Sequence, residues 1–202
     1  NIGIQEYQFD PSLSAEEISQ IATWADNGAP RGNPADMPPL KVLGGASLWH
    51  AGEPDLITRT EDIAMAGDAP DWWGEIKPVS VGIDEDRYVK SVEIREVNDV
   101  LETEDVRETV GGRFIFHHMI WGTAVLDDEG RPTGRPGFWP VHEVGRNADV
   151  FDPEGAPLLQ AGSLVVSDSV HLHSNGKDTR SHLEIGWRVY DKGYEPKYHW
   201  AL

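Results

Sequence analysis

Arg113-Phe114-Ile115-Phe116-His117-His118-Met119-Ile120-Trp121 is the stretch on which the reading of this chain turns. Its aromatic and β-branched residues describe a buried or half-buried strand. Two adjacent imidazoles in such a strand are costly to bury unless something binds them, and a metal ion is the natural candidate. A second cluster, Val170-His171-Leu172-His173-Ser174-Asn175-Gly176-Lys177, lies well downstream and would complete such a site. Alternation along a strand puts His171 and His173 on one face. The same alternation sends His117 and His118 to opposite faces unless a bulge re-aims one of them.

On either side, from about residue 42, short β-like runs alternate with turn residues. They are Leu56 to Thr60, Val79 to Ile83, Tyr88 to Val97, Phe114 to Val125, Ser163 to His173 and His182 to Tyr190. Asp127-Asp-Glu-Gly130, Arg135-Pro-Gly137, Asp152-Pro-Glu-Gly155 and Asn175-Gly176 supply the turns. Several strands with intervening turns and no long helix predict an all-β fold, an antiparallel β-sandwich. Further upstream, Ser14-Ala-Glu-Glu17 fits a capping box. Ile18, Ile21, Ala22 and Ala25 then follow at helical spacing until Asn27-Gly28, so we expect a short helix over about residues 14 to 27. Residues 29 to 40 carry too much proline and glycine for helix or central strand and read as a linker. The division expected is 1–40 and 41–202.

The composition narrows the chemistry. The chain has 202 residues, enough for one large domain or one domain with an appendage. It carries 17 Lys+Arg against 35 Asp+Glu, a net charge of −18 with no basic stripe, which disfavours nucleic acid and anionic membranes as partners. With no cysteine there are no disulfides, thiolate zinc sites, cysteine nucleophiles or locally attached c-type haem, and histidine and carboxylate remain as the strong metal ligands. No apolar run is long enough to span a bilayer, and these residues read as carrying no signal peptide. Residue 1 is Asn, so a processed chain or a fragment is expected.

His117, His118, His171 and His173 are the candidate metal ligands, and imidazoles without thiolates or clustered carboxylates suit copper or zinc. The plain alternative is two pairs of core or interface histidines. His142 is a further ligand or a loop histidine, the loop reading being favoured, while His50, His182 and His199 read as surface or packing residues. Glu143 or Asp168 could hydrogen-bond a ligand imidazole, or equally be a solvated carboxylate. Trp72, Trp73 and Trp139 could line a pocket, although core or interface packing is favoured. Nucleophile elbow, Walker loop and Rossmann fingerprint are absent, and Asp127 to Gly130 is too short for a calcium loop.

Taken together, several segments resemble the copper type II, ascorbate-dependent monooxygenases, the family of peptidylglycine and dopamine β-monooxygenases, and especially bacterial relatives fused behind a c-type cytochrome domain. The carrying residues are Gly52-Glu-Pro-Asp-Leu56, Tyr88-Val-Lys-Ser-Val-Glu-Ile-Arg95 running toward Phe116-His117-His118, Asp152-Pro-Glu-Gly-Ala-Pro with Ala161-Gly162-Ser163, and His171-Leu-His-Ser-Asn-Gly-Lys177. Leu13-Ser-Ala-Glu-Glu-Ile through Pro39 is similar to the last helix and exit of such a cytochrome domain, without the haem-attaching Cys-x-x-Cys-His. The resemblance implies a jelly-roll-like β-sandwich that binds copper through His117, His118 and His171. That copper would relay electrons to a second copper domain outside this chain, where dioxygen hydroxylates a small organic substrate. It further implies an ascorbate-like or fused-cytochrome electron donor, haem only in the missing part of the cytochrome-like domain, and a periplasmic or extracellular location. The chain departs from the family in a longer, more acidic segment from Asn98 to Gly112, and in Leu172 with an extra His173 where an aromatic commonly follows the third histidine. The extra imidazole could make a fourth ligand. Two rival readings stand beside this one: a metal-free or zinc-binding β-sandwich acting as a recognition or assembly module, and a cupin-like single-metal enzyme using His171, His173 and a carboxylate.

Overall fold

The computed structural model describes residues 12–39, 49–100, 112–134, 136–145 and 148–199. Contacts divide the chain into two units, Asn1–Leu43 and Gly44–Leu202. The expected boundary at residues 40 and 41 and most of the acidic segment, residues 101–111, lie outside the described residues.

In the first unit one helix, α1 (Ala15–Asp26), is started by the expected capping box. The Ser14 hydroxyl accepts from the Glu17 amide (3.2 Å) and the Glu17 carboxylate accepts from the Ser14 amide (2.8 Å), which satisfies two amides the first turn leaves open. Gly28 takes φ +81° just past the helix end, and the Trp24 indole donates to the Pro30 carbonyl (3.0 Å). The proline-rich stretch that follows holds a 3-10 turn at Pro34–Asp36.

Among the described residues the second unit holds eleven strands: β1 (Leu56–Arg59), β2 (Ile63–Met65), β3 (Trp72–Ser80), β4 (Arg87–Asn98), β5 (Phe116–Ala124), β6 (Gly137–Phe138), β7 (His142–Glu143), β8 (Ala148–Val150), β9 (Leu158–Leu159), β10 (Leu164–Leu172) and β11 (Thr179–Val189). They form two antiparallel sheets. One has the order β1-β11-β4-β8, with β2 also on β11 and β9 also on β4. The other has the order β3-β10-β5-β6, with β7 also on β5. The all-β expectation is met as a two-sheet sandwich. The strand expected at Val79 to Ile83 is misplaced: β3 starts at Trp72 and stops at Ser80, and Gly82 turns the chain at φ +81°. Pro78 falls inside β3, a position allowed because β3 lies at the sheet edge, where a missing amide breaks no ladder.

The inward faces of both sheets meet in one apolar core. Trp121 of β5 packs edge-on against Trp187 of β11 with ring centroids 5.7 Å apart, and Trp139 fits against both. Each indole N–H is satisfied: Trp121 donates to Pro140 O, Trp139 to Thr123 Oγ1 and Trp187 to Thr58 Oγ1, at 2.8–3.0 Å. Large rings can therefore be buried without an orphaned donor. Gly122 lets β6 approach β5, since a Cβ there would lie 2.5 Å from the Gly137 carbonyl oxygen. Trp139 is thus a core residue, as favoured, whereas Trp73 is 57% exposed on the outer face of the second sheet.

Candidate metal centre

The histidines come together through an irregularity in β5. From Ser169 to His171 of the β5–β10 ladder His171 faces His118, Val170 faces Met119 and Ser169 faces Ile120, yet Leu172 faces Phe116. His117 is therefore the extra residue of a β-bulge. Phe116 and Met119 remain in the core, and His117 and His118 both emerge on the outer face. His171 reaches the same face from β10, as alternation requires with Val170 and Leu172 buried on either side of it.

Directly opposed residues then form one row across the sheet: Trp73, His171, His118 and Glu143. Trp73 stacks on the His171 ring at 3.9 Å and 10°, which leaves His171 only 7% exposed although it lies on the outer face. The His118 Nδ1 is 2.9 Å from Nδ1 of His117 and 3.4 Å from Nδ1 of His171. One imidazole nitrogen carries either one proton or one lone pair, so His118 Nδ1 cannot satisfy both neighbours by hydrogen bonding. A cation satisfies all three. With metal–nitrogen bonds of about 2.0–2.1 Å, ligand nitrogens lie about 2.9 Å apart at a right angle and about 3.4 Å apart at the tetrahedral angle, so these separations fit a bound ion. Desolvation first, and the neighbouring imidazoles second, hold His117 and His118 below the usual imidazole value, which favours the neutral form a metal needs.

What places β5 is a buried carboxylate that sequence reasoning missed. Glu96 of β4 accepts the Ile115 and Phe116 amides (2.8–3.1 Å), the Ser181 hydroxyl (2.8 Å) and the Asn98 side-chain amide (3.0 Å). Asn98 and Asn175 both donate to the Arg113 carbonyl, and the His173 amide donates to Ile115 O. The Asn175-Gly-Lys turn and the strand leading into the double histidine are thereby joined, an arrangement no local pattern announces.

Of the remaining histidines, His173 does not join the three Nδ1 atoms. Its Nε2 lies 3.3 Å from Asp71 Oδ2, its ring stacks on His117 at 4.3 Å, and it groups with Asp71 and His171 instead. Asp71 was also missed, because its partners stand far along the chain and an exposed Asp before Trp72-Trp73 carries no spacing signal. The loop reading of His142 is corrected: it stands in a strand, outside the group of His117, His118 and His171. It sits in β7 opposite Met119, so it shares the core-facing side of the sheet and is 4% exposed, turned away from His118. Glu143 takes the outer place opposite His118 and its charge partly offsets the lowering there, with no hydrogen bond between them among the described residues. Asp168 lines an open groove of about 580 Å³ that begins past Ile120 on the same face.

His142 is also expected to make the stability of the sandwich sensitive to acid. Burial, and secondarily His118, push it down to about 4 from the ordinary 6.5, and its Nδ1 has no hydrogen-bond partner among the described residues. A base whose pKa is depressed by folding is protonated more readily in the unfolded chain, so its contribution is intact above pH 6.5 and is lost as pH falls toward 4. The loss expected is roughly 3 kcal/mol. Urea melts at pH 7 and pH 4.5 check it: His142→Leu should flatten this part of the acid limb, and an unchanged limb would rule His142 out as its source.

Comparison of the chain with protein-family models, with curated proteins and with solved structures finds no match.

Proposed function

We propose that this chain holds copper through His117, His118 and His171 and serves as the electron-relay domain of a dioxygen-dependent copper monooxygenase. The observation that carries the reading is the grouping of the His117, His118 and His171 imidazoles, with His118 Nδ1 2.9 Å and 3.4 Å from Nδ1 of the other two, reached through the bulge at His117. When bound, copper supplies one-electron cycling between Cu(I) and Cu(II). The chain's own contribution is to hold three neutral imidazoles at nearly fixed positions. His118 and His171 are opposed in a sheet ladder, His117 follows residues gripped by Glu96, and Trp73 shields one face of His171 from water. Ligands held this way move little when the charge at the centre changes, as a relay requires.

The rest of the reading follows the family resemblance. A second copper domain outside this chain hydroxylates an organic substrate, and an ascorbate-like donor or fused cytochrome supplies electrons. The sandwich is jelly-roll-like, α1 derives from a cytochrome-like domain whose haem lies in the missing part, and the location is periplasmic or extracellular. Among the described residues no helix is long and apolar enough to cross a membrane.

Copper reconstitution of the purified chain, followed by metal analysis and electron paramagnetic resonance, tests the proposal. The expected result is a type II copper spectrum from the oxidised chain, with copper held against a moderate chelator. Zinc retained against excess copper, or no bound metal, would replace it with the zinc-binding or metal-free recognition module.

A further inference from the structure

His171 turns its two ring nitrogens to two different groups. Nδ1 faces His118, and Nε2 lies 3.3 Å from Asp71 Oδ2. The same carboxylate oxygen is 3.3 Å from His173 Nε2, so two imidazole nitrogens flank a single oxygen. Charge-assisted N–H···O bonds close to about 2.7–2.9 Å. At 3.3 Å both contacts are long for that, yet they match donor atoms spread around an ion with bonds of about 2.0–2.1 Å. The His173 Nε2 atom is also buried and, among the described residues, has no hydrogen bond of acceptable geometry. A buried ring nitrogen with nothing to donate to or accept from calls for a ligand. The Asp71 side chain is 56% exposed and that of His173 42%, so an ion can enter and water can complete its shell.

We propose that Asp71, His173 and Nε2 of His171 form a second cation site, and that the two sites share the His171 ring. This rests on the reading that Nδ1 of His171 ligates the first ion. The donor sets differ in kind. Three imidazoles suit copper in either redox state, whereas two imidazoles and a carboxylate suit divalent zinc or iron. The cation of the second site is therefore a divalent ion of the zinc type. To hold it beside an ion on Nδ1, Nε2 of His171 would release its proton to solvent. No electron is transferred in the step.

The test uses the full chain with copper and zinc as probes. Copper-loaded protein is equilibrated with Zn(II) against a chelator that strips surface carboxylates, and both metals are counted per chain. One copper and one zinc are expected in the wild type. Asp71→Ala and His173→Ala should each keep the copper and lose the zinc, and His118→Ala should keep the zinc and lose the copper. Zinc binding should also alter the copper resonance through the shared ring. Far-UV circular dichroism confirms folding of each variant, and a folded Asp71→Asn chain serves if the alanine variant does not fold. If wild type and Asp71 variants bind copper alone and to the same extent, the second site is overturned while the relay centre stands. Zinc retained by an Asp71→Ala, His173→Ala double variant would also overturn it. A chain that takes zinc at Asp71 and His173 but no copper would support the second site and sink the relay centre.

Discussion

His118→Ala is expected to abolish stable copper binding while leaving the sandwich folded. Its Nδ1 stands between those of His117 and His171, at 2.9 Å and 3.4 Å, so its removal takes out the ligand that links the other two. Outer partners of metal ligands typically account for about 10–100-fold in affinity, and loss of a ligand in a three-histidine centre should exceed that range. Folding should survive because His118 is half-buried on the outer face, clear of the tryptophan core, and substitutions in such places usually shift stability by about 0.5 kcal/mol or less. His142→Leu is the control. It removes a nearby histidine on the opposite side of the same sheet and should leave copper affinity unchanged. Copper competition titrations on both variants decide the matter, and equal affinities in His118→Ala and wild type would refute the assignment of ligands.

The second large effect concerns stability. Glu96→Ala is expected to destabilise the sandwich by about 3–5 kcal/mol, because it leaves the Ile115 and Phe116 amides without their carboxylate acceptor in a region closed to water. For a chain of this size that corresponds to a drop of about 10 °C or more in melting temperature. Glu96→Gln retains one acceptor oxygen and should lose less. The variant also reports on function. Residues 115 and 116 lead directly into the bulge, so the alanine variant should bind copper more weakly than wild type at temperatures where it is still folded. Thermal unfolding with and without copper measures both effects, and a melting temperature within a degree or two of wild type would refute the role given to Glu96.

The outline of the fold was legible because it depends on local physics. Alternation and turn chemistry located Leu56 to Thr60, Tyr88 to Val97 and Ser163 to His173 to within a residue or two of β1, β4 and β10. The helix ends came from the capping box and Asn27-Gly28. What escaped were strands of two or three residues, which are too short to show a period, and β3. There Pro78 and Gly74 argue against a strand, and only an edge position makes the proline acceptable. Glu143 and His142 were legible as residue types but not as roles. Which of two neighbours on a short strand faces the core is decided by the strand it pairs with.

The sequence by itself determined the ingredients of the centre: histidine without cysteine, two close pairs on separate strands, and the shared face of His171 and His173. Tertiary structure alone decided their grouping. The bulge at His117 exists only in the register between β5 and β10, where one strand holds a residue more than the other. Asp71 reaches His171 and His173 only because β3 pairs with β10. Pairing register and burial are properties of distant segments in contact, and a one-dimensional pattern carries the period of each strand but not the partner it meets.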